Sequence, residues 1–146
     1  MLRGNYTARM DSKGRLKVPT AFGRYIKDKY GTQVYVTSLT GDCARIYPLP
    51  EWESIEQRLN LVPTMDPARR KFLDRTNYYG QQVEMDGQGR LLLPQLLRES
   101  GQIKGEVAVL GNLTYLVVRN LELFKREIQE EKFTPEDEKT LDELGI

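Results

Sequence analysis

The amino-acid sequence predicts an α+β protein, mainly β, in which two tandem β-β-α-β-β repeats interleave as a pseudo-twofold barrel or sandwich with flanking helices. Two observations predict this fold: a ten-residue motif occurs twice, and each copy is followed by the same order of helical and β-rich stretches. A third is size, because one repeat of about 45 residues buries too little surface to be stable alone. Interleaved strands would share one core and protect sheet edges from aggregation.

The repeated motif occupies residues 10–19 as Met-Asp-Ser-Lys-Gly-Arg-Leu-Lys-Val-Pro and returns 75 residues later, at 85–94, as Met-Asp-Gly-Gln-Gly-Arg-Leu-Leu-Leu-Pro. In each copy an Asp stands three residues before a Gly. An Asp side chain accepts hydrogen bonds from the backbone N–H groups of a following turn, and Gly tolerates left-handed backbone. Each motif therefore predicts a hairpin whose short loop is closed by a Gly bulge. The structural turn residues are Asp11, Gly14, Asp86 and Gly89.

The elements after each motif follow one plan. The prolines at the end of the motifs suit the first turn of a helix, where no N–H is needed. Helical stretches are predicted at 20–29 and 95–100, and β-rich runs at 33–37, 44–47, 106–110 and 114–118. An amphipathic helix then closes each half, around Trp52 in the first and Phe124 in the second. We interpret Trp52 as a core residue, with a subunit interface as the alternative.

These patterns divide the chain into four segments. The first repeat is expected at 1–53, a helical connector at 54–79, the second repeat at 80–124 and an acidic C-terminal helical tail at 125–146. Within the connector, Asp66 is a good N-cap and Pro67 suits the first helical position. The connector helix is basic, so that it either touches phosphates or presents a solvated face. A second capped helix is predicted to begin at Thr134.

Composition argues against several classes of function. The chain has no histidine and a single cysteine, Cys43, which removes the commonest general base, disulfides within the chain and cysteine metal clusters. No apolar run approaches the roughly 18 residues of a membrane span, and no signal peptide is evident at the N-terminus. We therefore expect no enzymatic activity, metal, cofactor, small-molecule substrate or membrane partner, and a cytoplasmic location.

Charge is distributed unevenly along the chain. Residues 1–30 hold eight Lys and Arg against two Asp, a net charge of +6. Residues 121–146 hold nine acidic against four basic residues, a net charge of −5. A basic end that contacts polyanions and an acidic end that stays solvated is one interpretation, and two ordinary solvated surfaces are the other.

The motifs at 11–19, 47–52 (Tyr-Pro-Leu-Pro-Glu-Trp) and 86–92 resemble the MraZ family, which belongs to the AbrB-like, swapped-hairpin DNA-binding proteins. The resemblance extends from residue 1 to about residue 130. It implies a swapped-hairpin barrel and a nucleoid-associated bacterial regulator that binds double-stranded DNA repeats. The implied targets are its own promoter and the division and cell-wall gene cluster, bound by a ring-shaped homo-oligomer.

Candidate DNA-contacting residues follow from this resemblance and from side-chain chemistry. The planar fork of Arg15 fits guanine O6 and N7 in the major groove, which admits a two-stranded ribbon. Lysines and other arginines suit phosphates, which fix register without reading sequence. The predicted contacts are Arg3, Lys13, Arg15, Lys17 and Arg90.

The two copies differ, and alternatives stay open. Gln88 and Leu92 stand where the first copy has lysines, so the second motif contacts either DNA or a neighbouring subunit. Arg15 and Arg90 can instead pair with the Asp of their own turn; basic neighbours surround only Arg15, which favours DNA contact there and pairing at Arg90. The alternative function is a non-catalytic oligomeric scaffold that binds an acidic protein partner.

Overall fold

The computed structural model describes residues 1–146, and its elements follow the order that the repeat predicts. The eight strands are β1 (Leu2–Arg9), β2 (Arg15–Lys17), β3 (Gln33–Thr37), β4 (Ala44–Pro48), β5 (Gln81–Glu84), β6 (Arg90–Leu92), β7 (Glu106–Leu113) and β8 (Tyr115–Asn120). The six helices are α1 (Thr20–Tyr30), α2 (Leu49–Leu59), α3 (Pro67–Tyr78), α4 (Gln95–Ser100), α5 (Leu121–Glu130) and α6 (Pro135–Asp142).

The strands form two antiparallel sheets. A six-stranded sheet has the order β1-β7-β8-β4-β3-β5, and β2 pairs with β6 in a separate two-stranded ribbon. Four of the six pairings join a strand of the first half to a strand of the second half: β1 with β7, β2 with β6, β3 with β5 and β4 with β8. The fold is therefore mixed α and β, with both halves contributing to each sheet.

The strands do not form the closed barrel that the sequence predicted. The larger sheet ends at β1 on one side and β5 on the other, and no pairing joins these two strands. The reason lies in β2 and β6, which pair with each other and so do not extend the sheet beyond β1 and β5. Only an isolated bridge between Met10 and Leu16 connects the end of β1 to β2.

One hydrophobic core draws on equivalent positions of both repeats. The pairs lie 75 residues apart in sequence, and every member is less than 5% exposed: Leu16 and Leu91, Val18 and Leu93, Phe22 and Leu97. Leu16 and Leu91 face each other across the β2–β6 ribbon. Because the two halves fill one interior, neither has a separate core that could hold it folded alone.

Aromatic side chains pack beneath α2 and α3 at the side of the larger sheet. The ring of Trp52, 5% exposed, stacks on Tyr35 at 4.6 Å between centroids and on Phe72 at 6.2 Å. Tyr47 lies 5.1 Å from Trp52 in a tilted arrangement. The core interpretation of Trp52 is confirmed, because contacts with α3 and the sheet already bury its side chain.

Both predicted helix caps are present. The Asp66 carboxylate accepts a hydrogen bond of 2.8 Å from the backbone N–H of Ala68, and Pro67 is the first residue of α3. At the start of α6, Thr134 and Asp137 form a reciprocal capping box. None of the helices combines the length and the apolar composition that crossing a bilayer requires.

Candidate nucleic-acid interface

The β2–β6 ribbon carries one Asp–Gly turn at each end. Reciprocal backbone hydrogen bonds flank its three residue pairs: Val18 N–H donates to Gly89 O at 2.9 Å, and Leu93 N–H donates to Gly14 O at 3.1 Å. Each of these bonds joins a residue just after one strand to the Gly of the other repeat's turn. The first turn therefore lies beside the end of β6, and the second beside the end of β2.

In the first turn, Asp11 organises the backbone. Its Oδ1 accepts hydrogen bonds from the backbone N–H groups of Lys13 at 2.9 Å and Arg15 at 2.8 Å. Its Oδ2 accepts from the Arg15 Nε, also at 2.8 Å. Gly14 closes the turn at φ +81°, in the left-handed region.

The second turn reproduces this geometry. Asp86 Oδ1 accepts from the backbone N–H groups of Gln88 and Arg90, both at 2.9 Å, and Oδ2 accepts from Arg90 Nε at 2.9 Å. Gly89 has φ +74°. The hydrogen bonds and left-handed glycines that the motif predicts are thus present in both copies.

Both arginines form the ion pair that sequence reasoning expected mainly at Arg90. The pair occupies only the Nε edge of each guanidinium, and no hydrogen bond within the chain involves the Nη atoms of Arg15 or Arg90. Each arginine side chain is still about 30% exposed, at 29% and 31%. Ion pairing and DNA contact are therefore compatible, because the carboxylate orients the guanidinium while its two terminal nitrogens stay available.

The turns also hold both carboxylates in the charged state. The backbone N–H of Arg15 is the main cause that lowers the pKa of Asp11, and the Arg15 side chain and the Lys13 backbone N–H act in the same direction. The backbone N–H of Arg90 lowers the pKa of Asp86 in the same way. Hydrogen bonds donated to the ionised form stabilise it, so the anchors of both arginines stay charged at neutral pH.

The remaining predicted contact residues occupy different places. Lys13 is exposed at the tip of the first turn, whereas Lys17 reaches the other end of the ribbon and its Nζ donates to the backbone oxygen of Gln88. Arg3 lies in β1, six residues before Arg9 at the far end of that strand, which is about 20 Å at 3.4 Å per residue. The structure thus brings the motif residues together at the ribbon and leaves Arg3 apart from them.

Sequence reasoning missed Arg98, in α4. Its Nε donates to Leu93 O at 2.9 Å, and its Cζ lies only 2.3 Å from where a Cβ on Gly14 would be. The guanidinium therefore covers the backbone of the first turn and adds a positive charge there. The equivalent position in the first half is Gly23, so the repeat itself gave no signal for this contact.

A cleft of about 580 Å³ opens between the second turn and α1. Three basic residues line it: Lys17, Arg24 and Lys27. Two acidic residues, Asp28 and Asp86, also line it, and Asp86 is paired with Arg90. The cleft is therefore polar and carries an excess of positive charge.

Comparison with known proteins shows the class of protein that this chain resembles. Relatives that cover the whole chain are transcriptional regulators: the transcriptional regulator MraZ of Koribacter versatilis is 58% identical over 147 residues, covering 100% of both chains. That of Acidobacterium capsulatum is 55% identical over 146 residues, again covering 100% of both chains. That of Pectobacterium carotovorum is 38% identical over 112 residues, covering 76% of this chain and 74% of the relative.

The family described as "MraZ protein, putative antitoxin-like" matches residues 1–75 and 80–144. The chain belongs to the MraZ family, as the motifs in its sequence predicted. The names of its relatives are those of regulators and not of enzymes, which agrees with the prediction that the protein is not an enzyme.

Proposed function

We propose that this protein is a sequence-specific, double-stranded-DNA-binding transcriptional regulator, and that the β2–β6 ribbon with its two turns is the surface that reads DNA. One observation carries the proposal: the ribbon holds Arg15 and Arg90 by their Nε atoms alone, at both of its ends. A two-stranded ribbon is narrow enough for the major groove. Family membership supports the same function, because the relatives are named transcriptional regulators.

In this proposal the arginines contact bases and the lysines contact phosphates of the DNA backbone. A guanidinium whose terminal nitrogens are free can donate two parallel hydrogen bonds to guanine O6 and N7, which discriminates against a wrong base by about 1–3 kcal/mol. Lys13 and Lys17 are point charges on flexible stems and suit phosphate oxygens. Arg3 is proposed as an outlying phosphate contact, since it lies apart from the ribbon.

The spacing of the two turns supports assembly into a homo-oligomer. Arg15 lies opposite Leu92 and Lys17 opposite Arg90, so the two arginines are offset by two residues along the ribbon, about 7 Å. Recognition sites on one face of DNA recur about every 34–36 Å. One chain therefore reads one short segment, and binding to several promoter repeats needs several subunits, whose linkage adds avidity.

The finer features implied by the family resemblance belong to the same proposal. The pairing of first-half with second-half strands is what two interleaved swapped hairpins would produce, with the repeats at 1–53 and 80–124, the connector at 54–79 and the tail at 125–146. The assembly would be a ring-shaped homo-oligomer, cytoplasmic and nucleoid-associated. Its targets would be promoter repeats of its own gene and of the division and cell-wall cluster.

The test is titration of a labelled duplex carrying the protein's own upstream region, against a scrambled duplex of equal length. Arg15→Ala should lower the preference for the upstream duplex by about 1–3 kcal/mol, because it removes one of the two proposed base contacts. Lys13→Ala should weaken binding to both duplexes equally, because phosphates are the same in both. Arg126→Ala and Lys139→Ala are charge-matched controls on exposed positions of α5 and α6.

Equal and weak binding of wild type to both duplexes, or binding of the Arg15 and Lys13 variants that matches wild type, would contradict the proposal. The Asp–Arg turns would then be structural devices only. In that event the scaffold function, with an acidic protein partner at the basic end, becomes the better explanation.

A further inference from the structure

We propose that the cleft between the second turn and α1 is a subsite for one backbone phosphate of duplex DNA, and that its central cation is Lys17, supplied across the ribbon by the first copy of the motif. The inference rests on the proposed DNA-binding function and deepens it. It assigns the second motif to DNA and explains how that motif functions without the lysine that the first one carries.

The register of the ribbon places Lys17 at the second turn. Although it lies two residues after Arg15 in sequence, its Cα is paired with that of Arg90. Its Nζ donates to the backbone oxygen of Gln88, and a Cβ on Gly89 would lie 3.3 Å from the same Nζ. Lys17 therefore belongs to the second turn in space while it belongs to the first in sequence.

The position equivalent to Lys17 in the second repeat supplies no positive charge to the first turn. Leu92 is the equivalent of Lys17 and lies opposite Arg15, and its side chain is 51% exposed and uncharged. The first turn has instead its own Lys13 and the guanidinium of Arg98. Each turn thus has an arginine and a nearby positive charge, but the two turns obtain that charge from different places.

The cleft has the chemistry that a phosphodiester needs. Arg24 and Lys27 lie one helical turn apart on α1, and with Lys17 they place three positive charges around the cleft. The one opposing charge that has no partner of its own there is Asp28, because Asp86 is held by Arg90. At Gly87 nothing lies within 4 Å of where a Cβ would be, so a phosphate can approach the turn closely.

The first experiment measures the affinity of the full-length protein for the upstream and scrambled duplexes over a range of salt concentrations. Lys17→Gln should reduce the slope of log K against log salt by about 0.9, the value for one phosphate contact, and should weaken binding about eightfold at ~0.1 M salt on both duplexes. Lys139→Gln removes the same charge from α6 and should change neither quantity. Thermal unfolding of the variants controls for folding.

A second pair of variants locates the subsite. Adding Gln88→Lys to Lys17→Gln returns a cation to the second turn and should restore the salt slope. Adding Gln95→Lys places the same charge just after the end of β6, beside the first turn, at an exposed position, and should not. Equal rescue by both would overturn the inference, because it would show a diffuse positive field and no localised phosphate contact.

The failures of the two proposals are distinguishable. If wild type shows no preference for its upstream duplex and Arg15→Ala matches it, the DNA-reading function is wrong and this inference falls with it. If Arg15→Ala lowers the preference but Lys17→Gln leaves the salt slope at the wild-type value, the regulator stands and only the phosphate subsite is wrong.

Discussion

The two turns of the ribbon are alike in backbone and unlike in charge. Asp11 and Asp86 make the same three hydrogen bonds, with lengths that agree to within 0.1 Å. Around them, the first turn carries Lys13 and Arg98, whereas the second has Gln88 in its loop and receives Lys17 from the opposite strand. The geometry of a turn is therefore repeated with the sequence, and its electrostatic surroundings are not.

The difference has a simple physical origin. Turn geometry depends on residues at fixed spacing within a few positions, so a repeated motif rebuilds it. The charge beside a turn depends on which strand lies next to it, and here that strand belongs to the other repeat. Interleaving thus allows the copies to diverge in charge while both keep an arginine in the same orientation.

The largest expected effect tests the equivalence of the two halves. Leu16 and Leu91 are 0% and 1% exposed and face each other in the core. Leu16→Ala and Leu91→Ala should each lower the free energy of unfolding by about 2–5 kcal/mol, through lost burial and the cavity left behind. Denaturant titration at one fixed protein concentration measures both. Costs that differ by more than about 2.3 kcal/mol, the spread of measured costs for Leu→Ala at buried sites, would show that the halves are not equivalent in energy.

The next largest expected effect is a difference in stability between substitutions at Gly14 and at Gly89. Alanine at Gly14 or Gly89 meets a left-handed backbone, which costs about 1–2 kcal/mol. At Gly14 it must also displace the Arg98 guanidinium, which loses a hydrogen bond worth about 1 kcal/mol. Gly14→Ala should therefore destabilise the protein more than Gly89→Ala, as measured by denaturant unfolding. In an Arg98→Ala background the two costs should become equal, and a persistent difference would place its cause elsewhere.

The third effect concerns sequence reading. Arg15→Lys and Arg90→Lys keep the charge and lose the planar fork, so each should reduce discrimination between upstream and scrambled duplexes by about 1–3 kcal/mol. The salt dependence of binding should not change, because the number of charges is conserved. Competition binding with both duplexes gives the ratio. If only Arg15→Lys lowers this ratio, the second turn contacts the DNA backbone and does not read a base.

The smallest effect concerns acid pH and should be the same at both turns. Since the pKa values of Asp11 and Asp86 are lowered in the folded protein, each carboxylate stabilises the fold at pH above its ordinary value of 3.8. That contribution is lost as the pH falls below about 4 and through the folded-state pKa. NMR titration of the Asp side chains should show both below the usual range. Asp11→Asn should remove part of the stability loss that wild type shows at acid pH. If the variant loses as much stability as wild type, protonation of Asp11 is not a cause of that loss.

Much of the fold could be predicted from local sequence. The Asp–Gly turns, strand β3 and helix α4 follow from signals within ten residues, and the predicted bounds of β3 and α4 agree with the structure. The partners of the strands could not be predicted in this way. A repeat shows that two copies exist, but the sequence contains no signal for the pairing of β1 with β7 or for the open ends of the larger sheet.

In the candidate site, too, local features could be predicted from the sequence and distant contacts could not. Asp11, Arg15, Asp86 and Arg90 were identified because their roles depend on neighbours in sequence. The position of Lys17 beside the second turn depends on a contact with Gln88, 71 residues away, and Arg98 reaches the first turn from a helix of the other half. Sequence spacing therefore predicted the Asp–Arg pairs of the two turns, and tertiary structure determined which cations lie around them.

The pairing of β1 with β7 has a consequence for how the chain folds during synthesis. Leu2 pairs with Leu113 and Arg9 with Glu106, so β1 leaves the ribosome well before its partner β7, which is made about a hundred residues later. At ~5–20 residues per second this interval is of the order of 5–20 s, during which the apolar residues of the first half have no complete core to enter. Contacts so distant in sequence also slow folding itself. The apolar surface of the first half is therefore exposed to aggregation until the second half is complete.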